Sequence, residues 1–107
     1  MGKRFNLALI AAVAFAGSPV AIAADAQTAV RDHMLCVAKN AAKMDDGRKS
    51  AEEIAKMILP LCHSEHEAAM LASMPERWSE TPPDKAQEVE LTHTVAAVEW
   101  YRGGAGH

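Results

Sequence analysis

The segment MLCVAKNAAKMDDGRKSAEEIAKMILPLC, residues 34–62, decides the fold. Its first half belongs to a run without Gly or Pro over residues 25–44, in which Val30, Met34, Val37, Ala41 and Met44 recur at helical spacing. Asp45-Asp46-Gly47 ends that helix, with Gly47 suited to a left-handed backbone beyond a helix terminus. Ser50-Ala51-Glu52-Glu53 has the spacing of a capping box: the serine oxygen accepts a backbone N–H while Glu53 reaches back to the N–H of Ser50. A second helix is therefore expected from Ala51, with Ile54, Met57, Ile58, Leu61 and Cys62 on one side. Pro60 lacks a backbone donor and predicts a kink or split near Leu59.

Cys36 and Cys62 are the only thiols, and each borders an apolar stripe. At 1.5 Å per residue from the intervening turn, their heights along two antiparallel rods differ by about 6 Å, which the connection can absorb. In an oxidising compartment the single available pairing becomes a disulfide. The spacing is far from C-x-x-C, so the local geometry that activates redox thiols is missing.

The compartment is read from the other end of the chain. Lys3 and Arg4 precede the apolar run LALIAAVAFA at residues 7–16, then come Gly17, Ser18 and Pro19, and then Ala21-Ile22-Ala23, an A-x-A pattern. That run is too short to span a bilayer and has the layout of a secretory signal cleaved after Ala23. The expected organisation is a signal peptide over residues 1–23, one small helical domain over 24–102 and a flexible tail over 103–107, in a periplasmic or secreted protein without stable membrane insertion after cleavage. With 11 Lys and Arg against 14 Asp and Glu in 107 residues, and two of the basic residues in the leader, the remainder is acidic, which excludes nucleic acid as a partner. A chain of this length holds no multidomain enzyme or dinucleotide-binding fold.

Beyond the hairpin, helical character is expected to resume through Glu65 to about Ser73. Residues 74–83 carry Pro75, Pro82 and Pro83 and read as a connector, with Trp78 folded back onto the hairpin. A third helix starting at Thr81-Pro82 or at Asp84 runs to about Arg102. Val89, His93, Ala96, Ala97 and Trp100 share one of its sides; Leu91, Val95 and Val98 share another. The expected fold class is all-α: a disulfide-linked antiparallel helical hairpin plus a third C-terminal helix.

One constellation suggests chemistry. His63, His66, Met70 and Met74 fall at i, i+3, i+7 and i+11, within about 80° around a helix, and imidazole with thioether is a ligand set for copper. Met at helical spacing equally serves as core. His93, between Val89 and Trp100, reads as a partly buried histidine bonded to a backbone or carboxylate partner, and alternatively as a pH sensor whose protonation would separate the helices. His66-Glu67-Ala68-Ala69-Met70 begins like a zinc-protease helix but has Met70 in place of the second histidine, and Leu59 stands where haem attachment at Cys62-His63 would need its first cysteine. No catalytic residue is assigned. The pairs Asp45-Asp46, Glu52-Glu53 and Glu88-Glu90 read as solvated faces and as partners of caps and helix dipoles.

From about Arg31 to Ala68 the chain resembles a class of small exported bacterial proteins with a cysteine in a first helix, a Gly-containing turn, an S-A-E-E-I-A-like helix start and a second cysteine about ten residues on; here these are Cys36, Gly47, Ser50 to Ala55, and Cys62. The resemblance implies a disulfide-linked helical hairpin and no activity. A fainter likeness is to the HdeA-type periplasmic acid-stress chaperones, small helical proteins stapled by one disulfide, whose cysteines lie further apart. The resulting expectation is an exported, non-enzymatic helical protein of the binding or interaction type, with room for a protein partner and no obligatory cofactor. The alternatives are a periplasmic copper-binding protein using the His/Met face and an acid-responsive chaperone.

Overall fold

The computed structural model describes residues 17–104, with side chains from Asp25 onward. The apolar run of the expected leader and the last three residues of the tail lie outside the described residues. Five α-helices follow in order: α1 (Gly17–Met44), α2 (Ala51–Ile58), α3 (His63–Ser73), α4 (Pro75–Ser79) and α5 (Pro83–Arg102), with a 3₁₀ turn at Leu59–Leu61 between α2 and α3. Among the described residues there is no strand, and no helix is long and apolar enough to cross a membrane. The protein is all-α, and Cys36 and Cys62 form a disulfide with their Cα atoms 5.9 Å apart.

Helix α1 begins earlier than its apolar spacing indicates and runs through the Ala23–Ala24 bond. Pro19 sits in its first turn, where the missing N–H has no intrahelical partner to lose. At its other end Asp45 N–H donates to the Ala41 carbonyl (2.8 Å), and the Asp45 and Asp46 carboxylates accept from the backbone N–H groups of Gly47 and Arg48, both at 2.9 Å. Gly47 has φ +81°, the left-handed conformation expected of it. The capping box at α2 forms with both bonds: Glu53 N–H to Ser50 Oγ at 3.1 Å and Ser50 N–H to Glu53 Oε1 at 2.8 Å.

Pro60 splits the second helical segment through the 3₁₀ turn, and α3 then starts on a new course from Cys62. The stripe drawn through α2 is cut accordingly. Ile54 and Ile58 are fully buried, each worth roughly 1.5–3 kcal/mol of apolar transfer, whereas Met57 and Leu61 lie on the surface. The connector forms a short helix, α4, with Pro75 at its first position and Trp78 buried. Thr81 does not cap α5; its hydroxyl donates back to the Arg77 carbonyl, and Pro83 opens the helix instead.

The core consists of Val37, Ala41, Ile54, Ala55, Ile58, Cys62, Ala97 and Val98, contributed by α1, α2 and α5 and by the disulfide. Helix α1 packs most extensively on α3, and α5 on both α2 and α1. Asn40 Nδ2 donates to the Cys36 carbonyl at 2.9 Å and lies 3.6 Å from the Cys62 sulfur, flanking the staple. The buried side of α5 is Glu90, Thr94, Ala97 and Val98, a stripe at i, i+4, i+7 and i+8 that apolar residues alone do not reveal. Thr94 satisfies its hydroxyl on the Glu90 carbonyl (2.8 Å), which makes a polar residue tolerable there. Arg102 closes the bundle by donating to both carboxylate oxygens of Asp45, at 2.8 and 2.9 Å, and to the Lys49 carbonyl at 2.6 Å.

Candidate functional site: a histidine and methionine groove

Three helices each bring one imidazole to a common place. His33 on α1, His66 on α3 and His93 on α5 meet in series, edge-on or tilted, with ring centroids 5.0 Å apart for His33–His66 and 5.2 Å apart for His66–His93. His66 is the centre and is 1% exposed; His33 is 5% exposed. His66 Nε2 and His93 Nδ1 share a hydrogen bond of 3.0 Å, so one of these two nitrogens carries the proton and the other accepts it. Trp78 closes the far side of His66 edge-on at 5.6 Å, and its indole N–H donates to Glu67 Oε2 at 3.1 Å.

Two buried ring nitrogens, His33 Nε2 and His66 Nδ1, have no hydrogen-bond partner among the described residues. An unpaired polar atom out of water costs roughly 1–3 kcal/mol, so their burial opposes stability. Burial also pushes the His66 imidazole down to about 4, helped by the proximity of His33, His93 and His63. His33 is lowered too, first by burial and then by His93, with Glu65 acting in the opposite direction. Both rings are therefore neutral at pH 7 and each keeps a lone pair.

These histidines line a cavity of about 350 Å³ together with Met34, Met70 and Met74. Val30, Ala69, Ala96 and Ala97 supply most of the remaining wall. Of the four residues expected to form a His/Met face, His66, Met70 and Met74 meet here. Met74 does so from beyond the end of α3, as the residue preceding α4.

His63 does not join them. It is exposed, and its Nδ1 lies 3.0 and 3.1 Å from the two carboxylate oxygens of Glu90. Its Nε2 is 3.9 Å from Glu67. The two histidines are about 60° apart around the helix, and on α3 that angle separates a side chain facing α1 from one facing the Glu90 turn of α5. Glu90 is correspondingly buried, 8% exposed, rather than part of a solvated face. Likewise Asp45 is paired with Arg102, which holds its carboxyl at about 2.

His93 is placed otherwise than as a histidine buried among apolar neighbours. Its side chain is exposed, and its partner is another imidazole rather than a backbone carbonyl or a carboxylate. His33 is not among the residues that spacing singles out. Its signal was its position at i−4 from Val37 and i−8 from Ala41, which puts it on the stripe that α1 buries.

Among the described residues no group of three or more His, Cys, Asp or Glu side chains is arranged to hold a metal ion. The chain matches no family, no curated protein and no solved structure.

Proposed function

We propose that this is an exported, non-enzymatic protein of the binding type and that the groove between α1, α3 and α5 is where it binds. The observation that carries this reading is the cavity itself. Its volume of about 350 Å³ and its apolar wall, interrupted by a few polar ring nitrogens, are the usual make-up of a small-ligand site. The unpaired nitrogens of His33 and His66 support it, since a polar atom buried at a net cost is explained by a ligand that pairs with it. Export is supported by the leader-like sequence and by the disulfide, which is at home in an oxidising compartment. We also take α1 and α2 to run antiparallel, joined by the short turn at residues 45–50 and stapled across it.

The non-enzymatic part of the reading rests on the sequence, which carries no nucleophile elbow, phosphate loop or paired metal-protease histidines. The test is titration of the oxidised protein with the apolar fluorophore 1-anilinonaphthalene-8-sulfonate at pH 7.5, beside an Ala96→Phe variant. Ala96 is exposed at the groove rim, so the added ring obstructs the cavity without entering the core. Saturable binding that the variant abolishes is expected. Binding of equal strength in the variant would move the site elsewhere.

A further inference from the structure

We infer that the groove takes a soft univalent metal ion, copper(I), on the imidazoles of His66 and His93 and the thioether of Met70, with Met34 and Met74 beside them. The inference rests on the groove being the binding site and names its ligand. It changes the copper set suggested by spacing alone: His63 is out, held on Glu90, and His93 comes in from another helix, with His33 behind the pair.

Two features of the site carry it. The first is the donor types. Thioether sulfur favours soft ions, copper(I) among them, and imidazole suits copper, so the mixed set fits copper(I). Among the described residues no three His, Cys, Asp or Glu side chains form a metal-holding group by themselves, and the wall adds methionine sulfur to the imidazoles.

The second is the spacing of the two ring nitrogens. His66 Nε2 and His93 Nδ1 stand 3.0 Å apart. Two nitrogens each about 2.05 Å from one tetrahedral ion would stand about 3.3 Å apart, so a shift of a few tenths of an ångström turns the hydrogen bond into a pair of ligands. The proton of that bond need not leave the pair. His93 is exposed, so its ring can carry its N–H on Nε2, towards water, and turn the Nδ1 lone pair to the ion, while His66 carries its own N–H on Nδ1 and offers Nε2.

The third imidazole of the cluster, His33, has its buried Nε2 without a hydrogen-bond partner. His33, edge-on to His66 at 5.0 Å, stands next in line as a donor behind the first pair. An ion enters from the solvent side, where His93 and Ala96 are exposed.

Silver(I) nitrate in chloride-free buffer is the probe, because it shares the ligand preferences of copper(I) without needing a reductant that would open the disulfide. Calorimetric titration of the oxidised protein is expected to show one equivalent bound. Carbon-13 spectra should show the methyl groups of Met70 and Met34 and the imidazoles of His66 and His93 moving, with those of His63 and the exposed Met57 unmoved. Met70→Leu, which conserves volume, and His93→Gln, at an exposed position, are each expected to weaken binding by about tenfold or more while leaving the helical circular dichroism unchanged. Binding no tighter than millimolar, equal affinity in both variants, or shifts centred on His63 would overturn the assignment. If silver fails while the apolar fluorophore still binds and Ala96→Phe still blocks it, the groove stands as a site and the metal falls. If both ligands fail, the groove reading falls with it.

Discussion

Replacing Cys36 and Cys62 together with alanine is expected to remove about 3.5 kcal/mol of stability. The two residues are 26 apart in sequence, so the disulfide closes a loop of about 27 residues. Chain-entropy theory assigns such a loop roughly 12 cal/mol/K of lost freedom in the unfolded chain, or about 3.5 kcal/mol at 25 °C. Small domains have only about 5–15 kcal/mol in total, and at 4–8 °C per kcal/mol the melting temperature should fall by roughly 15–30 °C. The effect lies in the unfolded state, so it should be accompanied by a steeper urea dependence, because the unlinked chain exposes more surface. Urea titration followed by circular dichroism at 222 nm measures both quantities. A variant too weak to fold in buffer is compared with the wild type in sucrose, which strengthens folding of both. A loss below about 1 kcal/mol with an unchanged slope would refute the reasoning and place the stability in the packing of Ile54, Ile58 and Val98 instead.

Acid should weaken the fold through the buried imidazoles. His33 and His66 titrate lower in the folded protein than in the unfolded chain, so stability is unaffected by them above pH 6.5 and is lost as the pH falls below it, for His66 down to about 4, because the unfolded chain takes up protons first. Urea midpoints at pH 7.5 and 5 should differ clearly in the wild type and less in His66→Leu; the same difference in both would exclude His66. Arg102→Ala should return the Asp45 carboxyl from about 2 towards the ordinary carboxylate range, read by carbon-13 titration. In the wild type the stabilisation from that pair is present above pH 3.8 and lost as pH falls through about 2. Ser50→Ala removes one bond of the capping box and should cost about 1 kcal/mol in thermal unfolding, with Ser50→Asp recovering most of it.

Features within a few residues of each other were legible in the sequence because their causes are local. The capping box at Ser50, the left-handed Gly47, the break at Pro60 and the end of α5 near Arg102 each depend on one or two side chains acting on the adjoining backbone. The pairing of Cys36 with Cys62 was legible because there was no other choice. The α4 turn was not, since Pro75 begins a helix as readily as it ends one. The buried stripe of α5 was misplaced for a related reason: hydrophobicity does not show that Thr94 can satisfy itself on its own helix or that Glu90 can be buried against His63.

The site itself divides along the same line. Sequence alone determined an all-helical chain with a leader-like start, one possible staple, and a helix bearing His66 and Met70 on the same side, because composition, capping and helical period act over distances shorter than a few turns. Only the tertiary structure decided that His33 and His93, 33 and 27 positions from His66, pack against it. It decided equally that His63, three positions away, turns to Glu90. Which imidazoles meet depends on how three helices are rotated about their axes as they pack, and that rotation is settled by the burial of Val37, Ile54, Ile58 and Val98 together, a condition spread over the whole chain.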